Sequence, residues 1–141
     1  MGASEEKQDD LAAFQSDPLE NLTIQDGLII CAVYAVQTKT DQCKQIGALA
    51  QKHPLFVEEP ESTFARVNKF TNLMQSGKSS EAVKAVTHNL KPEQRKQAFE
   101  FALEAALTDK ASTEEKKEIL QTLANKLALE DEFLDRKLAN I

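Results

Sequence analysis

Three acidic residues cluster at a single predicted helix joint. The stretch ALTDKASTEEKKEIL, residues 106–120, places Asp109, Glu114 and Glu115 within seven positions. Carboxylate oxygens are the ligands that hard divalent cations prefer, so Asp109 and Glu115, with Glu114 as a further donor, form a candidate metal site. Calcium takes six to eight oxygens, whereas this loop supplies about three side chains and lacks the glycine of a sharp coordinating turn.

The same acids also have a purely structural explanation. Ser112 is followed three positions later by Glu115, which is the spacing of a capping box at a helix start. Glu114 and Glu115 suit the positive end of the helix dipole. We therefore interpret the stretch as a capped helix joint and predict no metal ligands, with a divalent-metal site at Asp109–Glu115 as the alternative.

The remaining chemistry-bearing residues are isolated in the sequence. His53 and His88 each lie near a predicted helix end, and we interpret both as capping or surface residues. Cys31 and Cys43 fall in helical patterns, which predicts reduced thiols packed in the core, as in cytosolic proteins. The glycines are scattered singly, which excludes a phosphate-binding loop of the glycine-rich type. We predict a non-enzymatic protein with no catalytic residues and no cofactor.

The net charge of −6 is unevenly distributed along the 141 residues. Residues 1–20 hold six acids and one base, and the rest is nearly neutral. We predict an acidic N-terminal arm over 1–21 and one domain over 22–141. The charge disfavours nucleic acid and anionic membrane surfaces as partners, since both require a basic face. With no apolar run long enough for a signal or a membrane span, we expect a cytoplasmic protein without direct membrane insertion.

Apolar residues recur at helical spacing along the whole domain, and no alternating strand pattern competes with them. The sequence predicts an all-α, single-domain compact bundle of about seven helices. The first helix begins at residue 23, the second spans 41–52 with Thr40 as its cap, and the third spans 60–76 with Phe64 inward. The fourth begins at residue 79 and the fifth spans 92–107. The sixth covers 119–127 and the seventh spans 130–140. The first and fifth are apolar around most of their circumference, which predicts central, buried helices.

Two parts of the sequence resemble each other. AVYAVQT at 32–38 aligns with ALEAALT at 102–108, and KTDQCKQI at 39–46 aligns with STEEKKEI at 112–119. The first link is three residues shorter than the second. This internal similarity predicts a pseudo-repeat of two helical halves, each with a buried helix followed by an outer helix.

This order of elements resembles the TerB-like family of the tellurite-resistance group over about residues 22–140. The stretch AFEFALEAALTDKASTEEKKEILQTLANKLALEDEF, residues 98–133, is similar to the second half of that family's repeat. The resemblance implies an all-helical fold of two related halves. It also implies a role in bacterial stress responses, including tellurite resistance, with metal sensing and membrane-linked protein partners.

The chain departs from the family pattern in both links. Asp109 stands where the family's aspartate would be, but Lys110 replaces the following glycine, and Glu115 stands for the later acid. The shortened first link, QTKTDQ at 37–42, retains only Asp41. We therefore expect a stress-response scaffold or interaction domain that acts through protein partners, including membrane-associated ones, with a homodimer as a further option.

The two interpretations of residues 109–115 predict opposite mutational effects. For a capped joint, Ser112→Ala lowers the free energy of unfolding by about 1 kcal/mol, because the helix start loses an acceptor. Asp109→Asn then changes little, and calorimetric titration detects no calcium, magnesium or zinc binding tighter than about millimolar. Micromolar binding that disappears in Asp109→Asn would establish the metal site instead.

Overall fold

The computed structural model describes residues 19–108 and 113–139, which are mainly helical and contain no strand. The helices are α1 (Ile24–Ala35), α2 (Thr40–Gln51), α3 (Pro60–Leu73), α4 (Ser79–Asn89), α5 (Pro92–Leu107), α6 (Thr113–Lys126) and α7 (Asp131–Leu138). The predicted all-α class is confirmed. The predicted count of seven is not confirmed: the turn Met74–Lys78, with a kink at Gly77, joins α3 to α4, and with these two counted together the described ranges contain six helical segments. Most of the predicted acidic arm, residues 1–18, lies outside the described residues.

The bend between α3 and α4 lies at Gly77. Its φ of 99° is in the left-handed region, which glycine enters without the penalty of a Cβ. A Cβ at this position would meet nothing within 4 Å, so the requirement for glycine is conformational. The non-helical backbone at Gly77 thus separates α3 from α4, close to residue 76, where the sequence predicted the end of the third helix.

Helix α1 lies at the centre of the bundle. Thr23 begins it with a capping box, in which the Thr23 hydroxyl accepts from the Asp26 N–H at 3.2 Å and the Asp26 carboxylate accepts from the Thr23 N–H at 3.0 Å. The run from Leu28 to Val33 is fully buried. Because α1 has no polar face after its first turn, it requires cover on all sides, and α2, α3, α4, α5 and α6 all contact it.

Helix α5 forms the most extensive packing with α1. Pro92 occupies its first turn, where a missing N–H costs nothing, and the Gln94 side chain accepts from the Lys91 N–H at 2.9 Å. Phe99 and Phe101 are buried together with four alanines of the same helix. The predicted burial of the two apolar helices is confirmed.

The outer helices are amphipathic, and two details differ from the sequence expectation. Phe64 is 40% exposed rather than inward, because the buried stripe of α3 runs through Thr63, Val67 and Phe70 and leaves position 64 at its edge. Helix α2 begins at Thr40 itself, so Lys39 occupies the cap position that the sequence assigned to Thr40. None of the helices within 19–108 and 113–139 has the length and apolarity needed to cross a membrane.

The central position of α5 predicts the cost of truncating its largest side chains. Phe101→Ala should lower the free energy of unfolding by roughly 2 to 5 kcal/mol, because Phe101 is 1% exposed and its removal leaves a cavity. The exposed Gln121→Ala variant should stay within about 0.5 kcal/mol of the wild type. Urea denaturation followed by circular dichroism measures both values. Similar small losses in the two variants would contradict a core centred on α1 and α5.

Candidate functional site

The acidic joint predicted from sequence lies only partly within the described residues. Asp109, Lys110 and Ser112 lie outside them, so both the metal site and the capping box stay predictions. Glu114 and Glu115 are exposed in the first turn of α6. In the described ranges, no three histidine, cysteine or acidic side chains are grouped closely enough to hold a metal ion.

The two histidines lie in different environments. His53 follows α2 and is half-buried, and its Nδ1 accepts from the Leu55 N–H at 3.2 Å. Its ring meets Phe101 edge-on at 5.5 Å and Phe56 at 6.1 Å between centroids. His53 therefore packs the end of α2 onto α5, whereas His88 lies in the last turn of α4, at the surface.

Both cysteines are free and buried. Burial raises the pKa of the Cys31 thiol and that of the Cys43 thiol above their ordinary values. A thiol is nucleophilic as the thiolate, so a raised pKa makes each cysteine less reactive at neutral pH. Both residues serve packing in this structure.

A polar cluster around Arg66 was not anticipated from the sequence. The Arg66 Nη2 donates to Glu58 Oε1 at 2.7 Å, its Nε donates to Glu58 Oε2 at 3.4 Å, and its Nη1 pairs with Asp26 Oδ1. The buried Thr63 hydroxyl also donates to Glu58 Oε2, at 3.0 Å. One guanidinium thus joins the start of α1, the loop 52–59 and α3. We call Arg66, Asp26, Glu58 and Thr63 the Arg66 brace.

A further hydrogen bond fixes the same loop to α1. The Gln25 side-chain amide donates to the Leu55 carbonyl at 2.9 Å. Phe56 is 6% exposed and packs beside Phe101, with 6.0 Å between ring centroids. The loop is therefore held on both sides of its midpoint, by backbone and ring contacts before Val57 and by the Arg66 brace after it.

The electrostatics of the brace favour the ionised form of Glu58. The hydrogen bonds from Arg66 are the main cause that lowers the pKa of the Glu58 carboxyl, with a smaller contribution from Thr63 and an opposing one from desolvation. About three quarters of the Arg66 side chain is shielded, at 24% exposure. Because its guanidinium is engaged by two carboxylates, Arg66 is a structural residue here and not a receptor for a free anion.

The braced loop presents an apolar side chain to solvent. Val57 is 90% exposed, the largest exposure among the described large hydrophobic residues. Phe64, near the start of α3, lies over Gly47 of α2 so closely that a Cβ there would come within 2.2 Å of its ring. Glu59 and Glu61 are exposed between these two positions. We call Val57, Phe64, Glu59 and Glu61 the Val57 surface.

Comparison of the chain with protein-family models, with curated proteins and with solved structures finds no match at a significant level.

The lowered pKa of Glu58 predicts a pH-dependent contribution to stability. A carboxyl with a lowered folded-state pKa stabilises the fold above its ordinary value of 4.5 and loses that contribution as the pH falls through the folded-state value. Glu58→Gln should therefore cost about 0.5 to 1 kcal/mol at pH 7, a range that allows for partial solvent screening. The cost should shrink as the pH is lowered from 7 to about 3, because a growing fraction of the wild-type Glu58 carboxyl is protonated and loses its ionic contact with Arg66.

Urea denaturation at both pH values measures this difference, with the neighbouring Glu59→Gln as the matched control. Glu59 is exposed, so its variant should stay within about 0.5 kcal/mol at either pH. A cost of Glu58→Gln that is equal at the two pH values would contradict an ionic brace.

Proposed function

We propose that this chain is a non-enzymatic, TerB-like helical interaction domain that acts in the cytoplasm in a bacterial stress response of the tellurite-resistance type. One observation carries the interaction role, namely the exposure of Val57 on a loop that the Arg66 brace holds in place. The Val57 surface is the contact region in this proposal.

The energetics of the Val57 side chain support the choice of surface. Its exposed apolar area contributes nothing to the core of this chain, and covering a valine side chain completely is worth roughly 1.5 kcal/mol or more. A loop held by hydrogen bonds and an ionic brace loses little further conformational entropy when a partner binds. Association with a partner therefore explains the exposed valine better than a contribution to folding does.

The charges around Val57 indicate the chemistry of the partner. Glu59 and Glu61 are exposed beside it, and Glu58 is already paired with Arg66. A protein partner with an apolar pocket bordered by lysine or arginine would complement this surface. Membrane-associated stress-response proteins are the partner class that the family resemblance favours, and self-association as a homodimer is the competing outcome.

The contacts among helices support the pseudo-repeat that belongs to this proposal. In it, α1 with α2 and α5 with α6 are the two related halves. The buried helices α1 and α5 pack on each other, α2 contacts α5, and α6 contacts α1. Reciprocal packing of this kind is what two halves related by a pseudo-twofold axis would make.

A divalent-metal-binding stress sensor that uses Asp109 and Glu115 is the second candidate function. It is favoured by the resemblance of the 109–115 link to the family's acidic link. The exposed Val57 on its braced loop supports the interaction role, which is therefore our first proposal.

Two charge-introducing variants test the contact surface. Val57→Asp should abolish capture of the physiological partner from the native cell, because a carboxylate replaces the apolar contact. Leu107→Asp is the matched control, since Leu107 is also exposed, at 53%, but lies at the end of α5. A partner that is depleted by Val57→Asp and retained by Leu107→Asp, in quantitative mass spectrometry of the captured proteins, fits the proposal.

Equal recovery of every captured protein by the two variants would rule out the Val57 surface as the contact region. Sedimentation of the purified chain separates self-association from capture of another protein. The stress role is tested separately by deleting the gene and measuring growth on tellurite, where unchanged resistance would contradict the tellurite-type assignment.

A further inference from the structure

A small pocket lies between the C-terminal end of α1, the start of α4 and the middle of α6. It has a volume of about 340 Å³ and is lined by Tyr34, Gln37, Thr38, Ser79, Glu118, Ile119 and Thr122. This volume is at the lower end of the range for small-molecule sites. The pocket shares no residue with the Val57 surface, so a ligand bound in it is independent of the proposed function.

The three aliphatic hydroxyls of the pocket have their hydrogens directed to backbone carbonyls. The Thr38 hydroxyl donates to the Gln37 carbonyl at 2.6 Å, that of Ser79 to the Met74 carbonyl at 3.3 Å, and that of Thr122 to the Glu118 carbonyl at 3.0 Å. A hydroxyl has one hydrogen and two lone pairs. Each of these hydroxyl oxygens therefore offers its lone pairs to a ligand and acts as a hydrogen-bond acceptor.

The charges at the pocket also favour a ligand that donates hydrogen bonds. The Glu118 carboxylate only accepts hydrogen bonds, and the negative end of the α1 dipole offsets the positive end of the α4 dipole at Ser79, so the full charge of Glu118 decides the sign. None of the described residues that line the pocket is a lysine or an arginine. The lining therefore attracts a cation that carries several N–H donors.

The apolar part of the lining limits the size and shape of that cation. Ile119 and the ring of Tyr34 supply carbon surface next to the acceptors. A hydrated metal ion would gain nothing from this surface, whereas a short carbon chain would be covered by it. An ammonium group at the end of such a chain offers three donors to Glu118 and the hydroxyls.

From this arrangement we propose that the pocket binds a primary alkylammonium group, with the ammonium at Glu118 and Thr122 and the carbon chain against Ile119 and Tyr34. The same chemistry is found in a free aliphatic amine and in a lysine side chain. Tyr34 is the single tyrosine of the chain, which has no tryptophan, so intrinsic fluorescence reports on this pocket alone.

The test is a titration of the full chain with n-butylammonium chloride at low ionic strength, followed by the Tyr34 emission. One exposed carboxylate and a few hydrogen bonds predict saturable binding with a dissociation constant of about 1 to 10 mM. Neutral n-butanol should bind at least about tenfold more weakly, because it lacks the charge and two of the donors. Nα-acetyl-lysine N-methylamide tests the lysine source: tighter binding than n-butylammonium favours a lysine side chain, and weaker binding favours a free amine.

Variants of α6 make the test specific. Glu118→Gln and Thr122→Val should each weaken n-butylammonium binding, by at least about fivefold for Glu118→Gln, which keeps the shape but removes the charge. Glu104→Gln, at an exposed position on α5, should leave binding unchanged. Circular dichroism of each variant shows that the fold is retained.

The proposal is overturned if no saturable change occurs up to about 50 mM amine, a limit well above the expected dissociation constant. Equal binding of n-butanol, or unchanged affinity in Glu118→Gln, would overturn it as well.

Discussion

The packing of α1 against α5 is the constraint on which the rest of the structure depends. Beyond its capped first turn, α1 buries Gly27 through Val33 without interruption, so no side of it can face water. Helix α5 covers one side of α1 in the most extensive helix–helix packing of the bundle, and four further helices cover the others. The outer helices are amphipathic because each has one side on this pair and one in solvent.

The central pair also determines where the polar features of the surface lie. Asp26 caps α1 and pairs with Arg66, so the start of the buried helix is a fixed anchor for the loop 52–59. At the other end of α1, Tyr34 and the link after it form one wall of the acceptor-lined pocket. Opposite ends of one buried helix thus position the Val57 surface and the pocket, and the two can act independently.

The sequence predicted the elements better than the contacts between them. The helix starts at residues 60 and 92, the end of the third helix near residue 76 and the burial of α1 and α5 were predicted, because proline, glycine and an all-round apolar pattern act locally along the chain. The Arg66 brace joins residues 40 positions apart, and nothing local in Asp26 or Arg66 specifies that pairing. Phe64 fits a helical stripe by spacing alone, but the buried stripe of α3 runs through Thr63 and Val67 and leaves Phe64 at its edge. Glu118 and Thr122 likewise look like ordinary outer residues of α6 until Tyr34 and Ser79 are placed opposite them.

Native-state hydrogen exchange of the backbone amides tests the central packing most directly. If α1 and α5 form the centre, the amides from Leu28 to Val33 and from Phe99 to Ala105 exchange only through global unfolding, and their exchange free energies equal the free energy of unfolding from denaturation. Amides of α7, which packs mainly at the edge of the bundle, exchange faster through local opening. Exchange of α1 amides at the rate found for α7 would contradict a central α1–α5 pair, because a helix that is buried on every side cannot open without unfolding the bundle.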